Sequence, residues 1–155
     1  MRVLLVLVLS CFVTACVTED PTALDTDVFL RFASPDPVAV TMDRFEAIVR
    51  SQGLTVFARI DHAANAQAAG LALEANQVLI FGNPKAGTQL INVDADIGLD
   101  LPMRVLVRAD GDGSVLLMHD PAAVATRFGI RTLDMLLGTM RETLRTMAKT
   151  ATESA

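Results

Sequence analysis

Residues 103–119, "MRVLVRADGDGSVLLMH", hold two apolar runs joined by Asp110-Gly111-Asp112-Gly113. Asp-Gly accepts the positive φ angles of a tight hairpin turn, so the two runs must fold back as antiparallel strands. In the first run Met103, Val105 and Val107 alternate with Arg104 and Arg108, which gives the pair one buried face. Any fold open to this chain has to contain that hairpin.

The other segments alternate in type. "DVFLRFA" reads as a strand stopped by Ser34-Pro35-Asp36-Pro37, and Thr41 is expected to cap a helix whose Met42, Phe45, Ile48 and Val49 share a face up to Gly53. "LTVFARI" is a second strand, "DHAANAQAAG" a short helical turn closed by Gly70, and "LALEANQVLIFG" a third strand. Val78 to Phe81 are apolar on both faces, which places that strand inside the sheet. "PKAGTQLINVDADIG" and "PAAVATRFG" predict further helices, the second opened by Pro121 at a first-turn position. A long helix from about Thr132 to Lys149 closes the chain, with Leu133, Leu136, Leu137, Met140, Leu144 and Met147 at spacings of three and four. Strands joined partly by a hairpin and partly by helices imply an α+β two-layer sandwich: a mixed or mostly antiparallel sheet, helices on one face, and the long C-terminal helix. The second face must be solvated, covered by that C-terminal helix, or buried in a partner.

The N-terminus has a different character. "MRVLLVLVLSCFVTAC" sets Arg2 before an apolar run from Val3 to Val13 and small residues before a cysteine, the layout of a secretory signal. The run is short of the roughly 20 apolar residues that cross a bilayer. Val13-Thr14-Ala15-Cys16 resembles a bacterial lipoprotein box, which implies a signal over residues 1–15 and diacylglycerol on Cys16. Residues 16–27 then serve as anchor and tether, 28–149 as one domain, and 150–155 as a disordered tail. The resemblance implies a palmitate-type anchor in the cell envelope, on the periplasmic face of the outer membrane, because Val17 stands where an Asp would favour inner-membrane retention.

Without Arg2, 12 of the 13 basic residues face 18 acidic ones, a formal net charge of −6. Acidity and the lack of Trp and Tyr argue against nucleic acid, whose binders use basic surfaces and stacking aromatics. Of the two cysteines Cys11 belongs to the signal, so the mature chain has no disulfide and rests on its own core.

Several motifs bear on chemistry. A twelve-residue calcium loop opening at Asp110 would end at Pro121 where a bidentate Glu is needed, so the Asp-Gly repeat is a turn. Asp61-His62 and His119-Asp120 both follow strand ends. Two histidines with two carboxylates suit a divalent metal or an acid–base pair, yet neighbouring strand residues point to opposite faces, so turn and cap roles are the stronger expectation. No Ser sits in a nucleophile elbow and no His-Glu-x-x-His is present. No metal and no cofactor is expected.

"LIFGNPKAGTQL", residues 79–90, superficially suits phosphate, but a P-loop needs Lys and Ser or Thr directly after its second Gly, and here Lys85 precedes Gly87. It reads instead as a strand ending at Gly82, Asn83 as helix N-cap, Pro84 at the first helical position and Lys85 in the first turn. Lys is unfavourable at a helix N-terminus unless negative charge sits beside it, which points to a bound anion or a nearby carboxylate.

"GLTVFARIDHAANAQAAGL", "LIFGNPKAGTQL" and "LPMRVLVRADGDGSVLLMHDP" together resemble successive blocks of the domain of unknown function 302 family, over most of Phe29 to Ile130. The resemblance implies a compact α+β fold and homodimerisation, and assigns no reaction. Asp61, His62, Gly82, Asn83, Pro84, Lys85, Gly87 and Thr88 match its motifs, whereas His119 departs from them. The expected activity is binding or sensing of a small or anionic ligand by Asp61, His62, Asn83, Lys85 and Thr88. The alternatives are an enzyme using Asp61 and His62 in proton transfer, and an assembly module.

Overall fold

The computed structural model describes residues 28–153, so the expectations for the signal, Cys16, the tether, Ser154 and Ala155 lie outside the described residues. Five strands, β1 (Phe29–Ser34), β2 (Thr55–Asp61), β3 (Asn76–Gly82), β4 (Met103–Asp110) and β5 (Gly113–His119), form one sheet in the order β1-β5-β4-β3-β2. All four pairings are antiparallel, the purer of the two arrangements expected. The hairpin turns at Gly111, φ 59°, and makes β4 the central strand, with β3 the interior strand beside it.

Because β1 and β2 occupy opposite edges, the segment between them must cross the sheet, and helix α1 (Val38–Ser51) does so. Its Met42, Phe45 and Val49 are fully buried against Leu79, Phe81, Val105, Val107 and Leu116. Each such side chain contributes about 1.5–3 kcal/mol by leaving water. The short helix α2 (His62–Ala68) links β2 to β3. Helix α3 (Pro84–Val93) and a 3-10 turn (Ala95–Leu99) link β3 to β4, and helix α4 (Pro121–Arg127) follows β5. Helix α5 (Asp134–Thr152) packs beside α1 on the same face of the sheet. The opposite face, with Leu106 flanked by Val78 and Leu117, is therefore not covered by the C-terminal helix.

Several boundaries differ from expectation: β3 begins only at Asn76 and not at Leu71, and the helix expected over residues 84–98 ends at Val93, where Asp94 leaves helical geometry and caps the separate 3-10 turn. Helix α1 begins at Val38 after Pro37, and Thr41 lies inside it as a buried residue instead of a cap. Its hydroxyl lies 2.8 Å from that of Ser34 and 3.0 Å from that of Ser114, and Ser114 in turn donates to the Asp36 carbonyl at 2.8 Å. This polar knot ties β1, α1 and β5 together, and a buried hydroxyl needs such partners. Residues 150–152, expected to belong to a disordered tail, are helical, because α5 continues through Thr152. Ala148 and Ala151 are buried in the main core, and that packing holds the last turn in place.

A second apolar cluster forms at one end of the sheet, where Leu90, Ile97, Val124, Ala125, Ile130 and Leu137 meet from α3, the 3-10 turn, α4, the loop after it and α5. Leu101 packs against both clusters and joins them.

Candidate functional site

Asp61 ends β2 and caps α2. One carboxylate oxygen accepts the Ala64 N–H at 2.9 Å and the other accepts the Gln77 side-chain amide at 2.9 Å. The Ala64 bond, followed by the Gln77 bond, holds its pKa below the usual carboxylate value. A carboxylate whose charged form is stabilised this way is a weaker base, and its hydrogen-bonding oxygens are already used. His62 projects from the first position of α2 and is exposed.

At the other motif, Asn83 caps α3 as expected: its side-chain oxygen accepts the Lys85 N–H at 3.0 Å, with Pro84 at the first helical position. Thr88 donates its hydroxyl to the Pro84 carbonyl at 2.8 Å, and Lys85 is exposed. The β2–β3 register pairs Asp61 with Gln77 but Thr55 with Gly82. Six residues of strand, about 20 Å at 3.3 Å each, therefore separate His62 from Asn83. The structure brings Asn83, Lys85 and Thr88 together and leaves Asp61 and His62 at the far end of the sheet, so no single pocket joins the five.

His119 and Asp120 have separate structural roles. Asp120, only 1% exposed, caps α4 by accepting the Ala122 N–H at 2.9 Å. The Arg141 Nε lies 2.6 Å from its second oxygen but off the hydrogen-bonding direction, so that contact is an ion pair. The His119 ring lies 4.6 Å from that of Phe29, and its Nδ1 is buried without a hydrogen-bond partner. Burial first, then the Arg127 and Arg104 guanidinium groups, push the His119 pKa below its ordinary value against an opposing pull from Asp100. The ring is thus neutral at pH 7. Among the described residues no three His, Cys, Asp or Glu side chains gather as a metal site.

The concave feature at the Asn83 end is of another kind. A half-open cavity of about 480 Å³ lies where the ends of β2, β3 and β4 meet α3 and α5. Phe57, Phe81, Ile91, Leu101, Leu136 and Met140 contribute its apolar walls, and Asn83, Thr88, Thr139 and Thr143 its polar positions. None of the lining residues is charged. Pro84, Gly87, Thr88 and Ile91 present one helical face to it, as spacings of three and four dictate. Phe57 reaches it from an irregularity in β2, where the register shifts between Val56 and Ala58, and the residue is 52% exposed. Two of the residues expected to bind a ligand, Asn83 and Thr88, therefore line a cavity, and Lys85 lies between two more of its lining residues. Most of the wall carries no mark in the sequence. An aromatic residue in a strand carries no mark of a bulge, and the Leu136–Leu144 wall reads in sequence as ordinary core periodicity.

Comparison with known proteins places these features. Residues 30–151 match the model of "Domain of unknown function DUF302". The crystal structure of an uncharacterized conserved DUF302 protein from Bacillus stearothermophilus superposes with a TM-score of 0.72 at 16% identity. That match covers 79% of this chain and 97% of the other, and establishes the fold. Over 94 residues the chain is 47% identical to proteins described as "Fluoride-specific ion channel FluC 1" of Brucella suis and "Fluoride-specific ion channel FluC 2" of Brucella melitensis. The shared stretch is 60% of this chain but only 37% and 35% of those relatives, so the chain spans little more than a third of their length. With a family model matched across most of its length and the same fold in a solved member, the chain belongs to the DUF302 family.

Proposed function

We propose that this protein is a lipid-anchored envelope protein whose DUF302 domain binds a small, largely apolar molecule, and that it acts by binding and not by catalysis. The observation that carries the reading is the charge-free cavity between α3 and α5. At about 480 Å³ it falls within the range of small-molecule sites, with apolar walls and a few polar groups. The acid–base alternative loses support because Asp61 is committed to capping α2 and to Gln77, about 20 Å of strand from the cavity end. The envelope reading rests on the lipoprotein-like box ending at Cys16. It is supported by relatives described as ion channels that share a 94-residue stretch with this chain, and a membrane-anchored domain suits such company. No described helix of this chain is long and apolar enough to cross a membrane.

Nile red, an uncharged dye that fluoresces in apolar surroundings, tests the reading. Thr139 lines the cavity from an exposed helical position, so Thr139→Trp fills the space without disturbing either core. The variant is expected to weaken dye uptake at least tenfold, on the order of 1.4 kcal/mol. Met135→Trp, on the same helix but outside the cavity and 88% exposed, is expected to leave uptake unchanged. Equal uptake by the parent protein and Thr139→Trp would remove the cavity as the binding site.

A further inference from the structure

We infer that the cavity takes a single-chain amphiphile with an acidic head, a long-chain carboxylate, whose tail fills the apolar space while its head meets Lys85 at the rim. The inference rests on the binding reading above and specifies its ligand.

The interior suits a hydrocarbon tail and rejects a charge. No lining residue is ionisable, and the Thr88 and Thr139 hydroxyls already donate to the Pro84 and Met135 carbonyls of their own helices at 2.8 Å. A carboxylate drawn inside would find no cationic partner, and an unpaired buried charge is very costly. A water occupies about 30 Å³ of liquid and a methylene group is of similar size, so the cavity holds a chain on the order of 16 carbons.

The rim has the opposite character. Lys85 stands between the lining residues Pro84 and Ala86, is exposed, and forms no ion pair among the described residues. It also sits in the first turn of α3, where a cation is unfavourable unless an anion joins it. An anionic head at this edge thus pairs with Lys85 and the first turn of α3, which accounts for a lysine that helix formation alone disfavours.

Calorimetric titration of the purified full chain with dodecanoate, dodecanol and dodecyltrimethylammonium, each below its aggregation threshold, separates the components. Dodecanoate is expected to bind about tenfold tighter than dodecanol, the combined effect of one ion pair and a helix N-terminus. Lys85→Ala should shrink that preference to the small part left by the helix N-terminus while dodecanol affinity stays the same, and Lys85→Glu should abolish it and turn it toward dodecyltrimethylammonium. Dodecanol binding with no advantage for dodecanoate, or an advantage that survives both Lys85 variants, would overturn the inference and leave the cavity reading intact. If none of the three binds, the cavity reading falls, and this inference with it.

Discussion

Phe45→Ala is expected to cost about 3–5 kcal/mol of folding stability, a large share of the 5–15 kcal/mol that holds a domain of this size. Phe45 is fully buried at the centre of α1, and its ring meets that of Phe81 edge-on with centroids 5.4 Å apart. Truncation removes the transfer free energy of the ring and opens a void between α1 and the sheet, which α5 on the same face leaves little room to close. Phe81 lines the cavity as well as the core, so the loss reaches the proposed site. Urea unfolding should show a lower midpoint with an unchanged slope, while Phe45→Leu, which keeps most of the volume, should cost less than about 1.5 kcal/mol. An alanine variant within 1 kcal/mol of the parent would mean that α1 is not the helix that seals this face.

The second large effect is expected from a single methyl group. A Cβ added at Gly113 would overlap the Ser34 carbonyl oxygen and stand 3.3 Å from the Pro35 Cα. Both are main-chain atoms at the end of β1, where Ser34 pairs with Ser114, so the strain cannot be relieved by turning a side chain. Relief requires β1 to move away from β5, which pulls Ser34 and Ser114 off Thr41 and loosens the knot beneath them. Gly113→Ala should therefore destabilise by about 2–3 kcal/mol. Gly138→Ala makes the same change in α5, where nothing lies within 4 Å, and should be neutral or stabilising by up to about 1 kcal/mol. Equal melting temperatures for the two variants would show that β1 does not approach β5 as described.

What the sequence announces is what local chemistry decides. The Asp110–Gly113 turn and the Asn83-Pro84 helix start were both legible, because the residues that make them are adjacent and their backbone requirements are their own. Thr41 departs from its expected role because a threonine before an apolar run has the look of a cap, whereas it lies inside α1. Its partners, Ser34 and Ser114, are supplied by other strands. Helix α5 runs three residues past its expected end because Ala148 and Ala151 bear the packing there, and alanine adds little to an apolar stripe. The cavity was the least legible feature. Its walls come from separate segments around Leu54–Phe57, Phe81–Ile91, Leu101–Met103 and Leu136–Leu144, each of which makes sense alone as strand or helix. Only the sheet register shows that Asn83 belongs to this group and that His62 does not.

The most direct test uses the absence of tryptophan from the chain. Phe57→Trp places a sole indole on the cavity wall, at a position half exposed to water in the free protein. Titration with dodecanol should shift its emission to the blue in a saturable curve with one site per chain, and a second substitution, Thr139→Phe, which fills the cavity and keeps the indole single, should abolish that curve. An emission maximum that stays in place through the titration, or a shift that persists with Thr139→Phe, would contradict the assignment of this cavity as the binding site.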